Sequence, residues 1–90
     1  VHEFIDVTTR SGHLALQLEE VVVAAGSALD GGCVEGNRLD GLLDVIIVAI
    51  KAEGAPMHFN PGRATVSAGD TLVMLGARSE LDRAERMAKA

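Results

Sequence analysis

Six consecutive apolar residues, Val45 to Ile50, stand between Asp44 and Lys51. A run of that length has the reach of a strand and falls far short of the ~18 residues that would suggest a membrane span. With no polar residue inside it, the run predicts a central strand buried on both faces. A second apolar run, "TLVMLG" from Thr71 to Gly76, predicts a companion strand. A chain of 90 residues makes one domain around such strands. It buries only about 60% of the surface it exposes when unfolded.

The segments around these runs carry weaker signals. Leu14, Leu16 and Leu18 alternate with Ala15, Gln17 and Glu19, the period of a half-buried strand. The phase then passes to Val21 and Val23, and a bulge near Glu20 would account for the slip. The opening "VHEFIDVTTRSG" puts Val1, Phe4 and Ile5 on one helical face with Gly12 as its stop, against the β-branched content of Val7, Thr8 and Thr9. "AAGSALDGGCVEGN" is dense in glycine and predicts turns. A short helix is predicted from Val34 to Leu43, interrupted by Gly36 and Gly41. "MHFNP" gives a short strand ended by Pro61, and "ATVSAGD" gives a further short segment with a Gly69-Asp70 hairpin turn. Ser79 is the predicted N-cap of a closing helix whose apolar side is Leu81, Ala84 and Ala88, with Asp82 three residues after the cap. Strands that follow one another late in the chain favour hairpins. The expected class is therefore α+β: a small mixed or antiparallel sheet of about four strands with flanking helices.

Several chemistries are argued against. The net charge of −5 repels a polyanion, and two phenylalanines are the only aromatic residues available for stacking on bases. No nucleic-acid partner is expected. The single cysteine, Cys33, fits a reducing compartment and reads as a small buried hydrophobe. His2, His13 and His58 are scattered and lack zinc spacing. Calcium needs only oxygen ligands, and Glu19, Glu20, Asp30, Glu35, Asp40 and Asp44 supply carboxylates without the spacing of a helix-loop-helix calcium site. Gly26 and Gly31 have the separation of a phosphate loop, but Gly32-Cys33 stands where Lys and Ser or Thr are required. Gly76, after a strand and before a helix, lacks the other glycines of a dinucleotide fingerprint and reads as a turn residue. No catalytic constellation emerges, so a non-enzymatic domain is expected.

The order of motifs resembles a known family. An acidic "LEEV" leads to a "GS-x-L-x-G" turn; "VIIVAIK" follows after about a dozen residues, then "NP", "AGDTLVMLG" and a closing helix. This resembles the C-terminal lobe of RCK domains, the TrkA-C type that regulates K⁺ conductance. The likeness runs from about Leu16 to Leu81. It implies a connecting helix over residues 1–13 from a preceding lobe, then the regulatory lobe over 14–90. It also implies a homodimer through this lobe, a higher ring in the full protein, a nucleotide-binding N-terminal lobe, and a membrane pore. The setting would be the cytoplasmic side of a prokaryotic K⁺ channel or transporter. The chain begins at Val1, which fits a piece of something longer.

The resemblance also nominates effectors and residues. In some relatives the cleft between paired lobes takes a cyclic dinucleotide, and the corresponding positions here are Ile46, Ile47, His58, Asn60 and Pro61. Lys51 is followed by Ala52 where an arginine is usual in such sites, and lysine does not reproduce the arginine fork on phosphate. Other relatives bind Ca²⁺, for which Glu19, Glu20, Asp40 and Asp44 are the candidates. Asn37 and Asp44 stand where the family pattern usually has leucine and glycine, a departure that reshapes the cleft or its flank. Two alternatives stay open: an equivalent lobe of a cation/proton antiporter or anion symporter, and a small enzyme using Cys33 or a carboxylate pair.

Overall fold

The two apolar runs lie side by side. A computed structural model describes residues 4–8, 15–39 and 43–89. In it β5 (Val45–Lys51) pairs antiparallel with β8 (Thr71–Gly76), from Val45 opposite Gly76 to Lys51 opposite Thr71. On its other edge β8 pairs with β2 (Ala15–Val22), which in turn pairs with β1 (Phe4–Thr8). β6 (His58–Phe59) closes the far side, giving a five-stranded sheet of order β1-β2-β8-β5-β6. A second sheet has three strands in the order β4-β3-β7, from β3 (Cys33–Glu35), β4 (Arg38–Leu39) and β7 (Arg63–Thr65). The helix α1 (Arg78–Met87) packs on β2 and β8. Every pairing is antiparallel, and the class is α+β as expected. The central strand is β8, with β5 beside it.

One core serves both sheets. On the large sheet, residues directly opposite share a face, so Glu19, Met74 and Ile47 point inward together, as do Val21, Leu72 and Ile50. Leu81, Ala84 and Ala88 of α1 meet them, as the helical period predicts, and Val34, Leu39 and Val66 reach the same cluster from the small sheet. The glycine-rich "GSALDGG" is architecture as well. Ala24 N–H donates to the carbonyl of Ala88 at 2.8 Å and Leu29 N–H to that of Met87 at 3.3 Å, closing carbonyls that the helix end leaves without intrahelical donors. Leu29 is buried beneath this loop.

Four local expectations fail for physical reasons. The opening segment is a strand over Phe4–Thr8, not a helix: β2 offers it an edge, and the β-branched residues suit that edge better than a helical turn. β2 has no bulge. Its pairing with β8 runs unbroken from Gln17 to Val22, and the irregularity falls on β5 between Ile47 and Ala49. The predicted helix from Val34 is a hairpin, because Gly36 and Asn37 take φ of 58° and 64°, the positive pair that a two-residue hairpin loop demands. Residues 40–42 of that predicted helix, Asp40 among them, lie outside the described residues, and Leu43 at its end is buried in the core. The helix α1 starts one turn position earlier than Ser79, with Ala77 as its N-cap and no side-chain cap bond.

Three further positions differ. Gly69-Asp70 forms a turn with φ of 89° at Gly69, and the Asp70 carboxylate accepts from Ser67 N–H at 2.9 Å, but the turn joins β7 of one sheet to β8 of the other instead of closing a hairpin. Cys33 is exposed, since strand alternation around buried Val34 turns it outward. β5 is not buried on both faces: Ile46 is 43% exposed.

Candidate functional site

The side of the large sheet away from α1 is where the candidate residues gather. Strand alternation places Leu18, Leu75 and Ile46 in one cross-strand row on it, with Leu16 beyond their end. The next row is Glu20, Val73, Ala49 and Phe59, and the last is Val22, Thr71 and Lys51. Large apolar side chains stand in solvent there: Val22 is 64% exposed and Phe59 66%, with Ile46 between them in exposure and the rest. Single exposed apolar residues are ordinary, whereas a contiguous set on one face marks a contact surface. At its border lies a hollow of about 220 Å³ lined by Leu16, Ile46, Leu75 and the Arg38–Asp44 ion pair.

The five residues nominated for a nucleotide are split by this geometry. Ile46 faces outward on the sheet. Ile47 is fully buried and faces the core, so only its main chain is offered to the edge. His58 and Asn60 are exposed, Pro61 is half-buried, and all three sit in and after the short strand β6. What binds them together is Asn37, a residue known from the sequence only as a departure from the family pattern. Its main-chain oxygen accepts from Ile47 N–H at 2.6 Å and its own N–H donates to Gly62 O at 3.0 Å. Its amide nitrogen donates to Ile47 O at 3.1 Å and to Asn60 Oδ1 at 2.7 Å. Asn37 thus clamps the hairpin loop onto β5 beside its bulge and onto the Asn60-Pro61 turn.

That clamp predicts a measurable split between two variants. Asn37→Gly keeps the positive φ and loses only the amide bonds, lowering stability by about 1 kcal/mol. Asn37→Ala adds backbone strain at φ 64° and is expected to cost about 2 kcal/mol. Urea unfolding of both measures the difference; equal costs would show that the loop conformation contributes nothing.

The three described carboxylates nominated for calcium, Glu19, Glu20 and Asp44, do not converge. Glu19 and Glu20 are neighbours on a strand and therefore point to opposite faces of the sheet. Glu19 is buried, and its Oε1 accepts from Arg78 Nη2 at 2.7 Å. Glu20 is exposed on the outer face. Asp44 pairs with Arg38, and its N–H donates to Glu80 Oε1 at 2.9 Å. Asp40 lies outside the described residues. Among the described residues no three His, Cys, Asp or Glu side chains stand together where they could hold a metal ion.

A family model described as the TrkA-C domain matches residues 18–89. The chain belongs to the TrkA-C domain family. The matched span runs from Leu18, within β2, through α1, so the small sheet and all of the large sheet except β1 and the start of β2 lie inside it. TrkA-C domains are regulatory, not catalytic, and are associated with potassium transport proteins. No curated protein and no solved structure matches the chain. No helix of this TrkA-C domain, among the described residues, is long and apolar enough to cross a membrane.

Proposed function

We propose that this TrkA-C domain is a self-pairing regulatory lobe: a second copy covers the outer face of its sheet, and effector binding beside that face shifts the pairing and so biases K⁺ passage through an attached channel or transporter subunit. The observation that carries this reading is the set of exposed Ile46, Phe59 and Val22, one in each row of a face whose opposite side is already filled by α1 and the small sheet. An antiparallel sheet can leave one face in water, but such a face reads mostly polar, and this one sets exposed Ile46, Phe59 and Val22 among its polar groups. Coupling two sites through one pairing equilibrium is what an allosteric lobe requires.

Ile46→Glu places a charge in the apolar Leu18–Leu75–Ile46 row. The expected result is a monomer by sedimentation where the wild-type chain is a dimer at micromolar concentration, with the thermal midpoint little changed because Ile46 is already solvent-exposed. A wild-type chain that stays monomeric at high micromolar concentration would overturn the reading. The proposed effectors remain a cyclic dinucleotide, near Ile46, His58, Asn60 and Pro61, or Ca²⁺ at Glu20 or Asp44. Titration of each in turn, read as a change in the dimer constant, separates them.

A further inference from the structure

The outer face is not uniform, and its asymmetry says how a second copy would lie on it. Two of its rows are apolar at their centres, Leu18–Leu75–Ile46 and Val73–Ala49–Phe59. Two outward charges stand toward one end: Lys51 shares the last row with Thr71 and the exposed Val22, and Glu20 stands at the margin of the row before it. Glu20 is on β2 and Lys51 on β5, on opposite sides of the central strand β8. The two charges are of opposite sign.

Resting on the self-pairing reading above, we propose that the two copies meet face to face about a two-fold axis running along β8, so that Glu20 of each copy meets Lys51 of the other. A two-fold contact must be self-complementary: if residue i of one copy touches j of the other, j touches i. An axis along β8 exchanges β2 with β5 and leaves each row at its own level. Leu18 then lies over Ile46 of the other copy, Leu75 over Leu75, and Val22 over the aliphatic stem of Lys51. An in-plane axis at right angles to the strands, through the middle row, would instead set Glu20 of one copy against Glu20 of the other and lay Lys51 on Ile46, a like-charge contact and an unpaired charge on hydrocarbon. Sheets that pack face to face stand about 10 Å apart with their strands nearly aligned, rotated by roughly 30°. Adjacent rows are about 7 Å apart along the strand, two residues at about 3.4 Å each, a gap that a lysine side chain spans. The pairing therefore carries two equivalent Glu20–Lys51 contacts, one at each flank of β8, and these set the orientation while the apolar rows supply the contact itself.

Charge reversal of each flank is the test, read as the dimer dissociation constant by sedimentation equilibrium at low and physiological salt. Glu20→Lys alone and Lys51→Glu alone each place two like-charge contacts in the dimer and are expected to weaken it about tenfold or more, most at low salt. The double variant E20K/K51E restores opposite pairs and is expected to return the constant to within about threefold of wild type. Circular dichroism melts check that every variant folds. Single reversals that leave the constant unchanged, or a double variant no tighter than the singles, overturn the axis. If Ile46→Glu still abolishes the dimer in that case, the face survives and only the orientation falls; if Ile46→Glu also has no effect, the self-pairing reading fails with it.

Discussion

Replacing Arg78 by alanine is expected to destabilise the domain by about 2 to 3 kcal/mol, the largest effect of any charged side chain described here. The cause is on β2, not on the helix. Glu19 faces the core between Gln17 and Val21 and opposite Met74, and its side chain is fully buried. A carboxylate there costs several kcal/mol in lost hydration unless a cation and donors meet it. Arg78 does so from the first residue of α1, with Nη2 at 2.7 Å from Glu19 Oε1, and it is itself tethered by Asp82, whose Oδ1 accepts from Nε at 3.0 Å. The Arg78 side chain remains 34% exposed, so water offsets part of what its removal takes away, which holds the figure below that for a wholly buried pair.

The hydrogen bond to Glu19 is also the chief reason that the Arg78 guanidinium titrates above its ordinary value, against desolvation, with Asp82 adding to it. A raised pKa means that the pair's contribution is fully present below the unfolded value and is lost only as pH rises through the folded one. That point lies beyond any working pH, so the arginine is charged throughout. Urea unfolding of Arg78→Ala, Glu19→Gln and the double variant measures the coupling. The arginine deletion should cost much less in the Glu19→Gln background, where no buried charge is left to compensate. Equal cost in both backgrounds would mean that Arg78 acts through packing of its stem alone.

The same pair shows where sequence reasoning reaches its limit. Hydrophobic alternation assigned the inward face of β2 to Leu14, Leu16 and Leu18, and it needed a bulge to hand over to Val21. The strand is in fact regular, and the inward set is Gln17, Glu19, Val21 and Val23. Leu16 and Leu18 lie on the outer face. A pattern of apolar residues identifies a face that avoids water, but it does not say whether the domain's own core or another molecule covers it. When both faces of a sheet are apolar the phase is ambiguous, and the tie is broken by Arg78, 59 residues away in sequence. Asn37 is a similar case. It was visible as a departure from the family pattern, yet its four hydrogen bonds depend on a positive φ at a hairpin that helix propensity had obscured. What could be read directly was the pairing of the two apolar runs, the buried side of α1 at Leu81, Ala84 and Ala88, and the α+β class. Each of these rests on a period or a run length that no distant residue has to arbitrate.

Gly76 is the second position where a large effect is expected, and the reason is not the turn that its place between strand and helix suggests. It is the last residue of β8, directly opposite Val45, and its φ is not in the positive region that favours glycine. Its need is space. A Cβ at this position would stand 3.0 Å from Val45 Cγ1 and 3.4 Å from the carbonyl oxygen of Asp44. Val45 is buried at 1% exposure, so its methyl group cannot swing into solvent to make room. Gly76→Ala is therefore expected to cost about 1 kcal/mol and Gly76→Val about 3, since overpacking a closed site forces the strands apart. The strands concerned carry the outer face, so the proposed self-pairing should weaken along with the fold. Val45→Ala in the Gly76→Ala background supplies the control. It removes the crowded methyl groups, and the two costs should sum to less than their separate values when measured by urea unfolding. Full additivity would show that the close approach of β5 to β8 at Gly76 is not what the glycine serves.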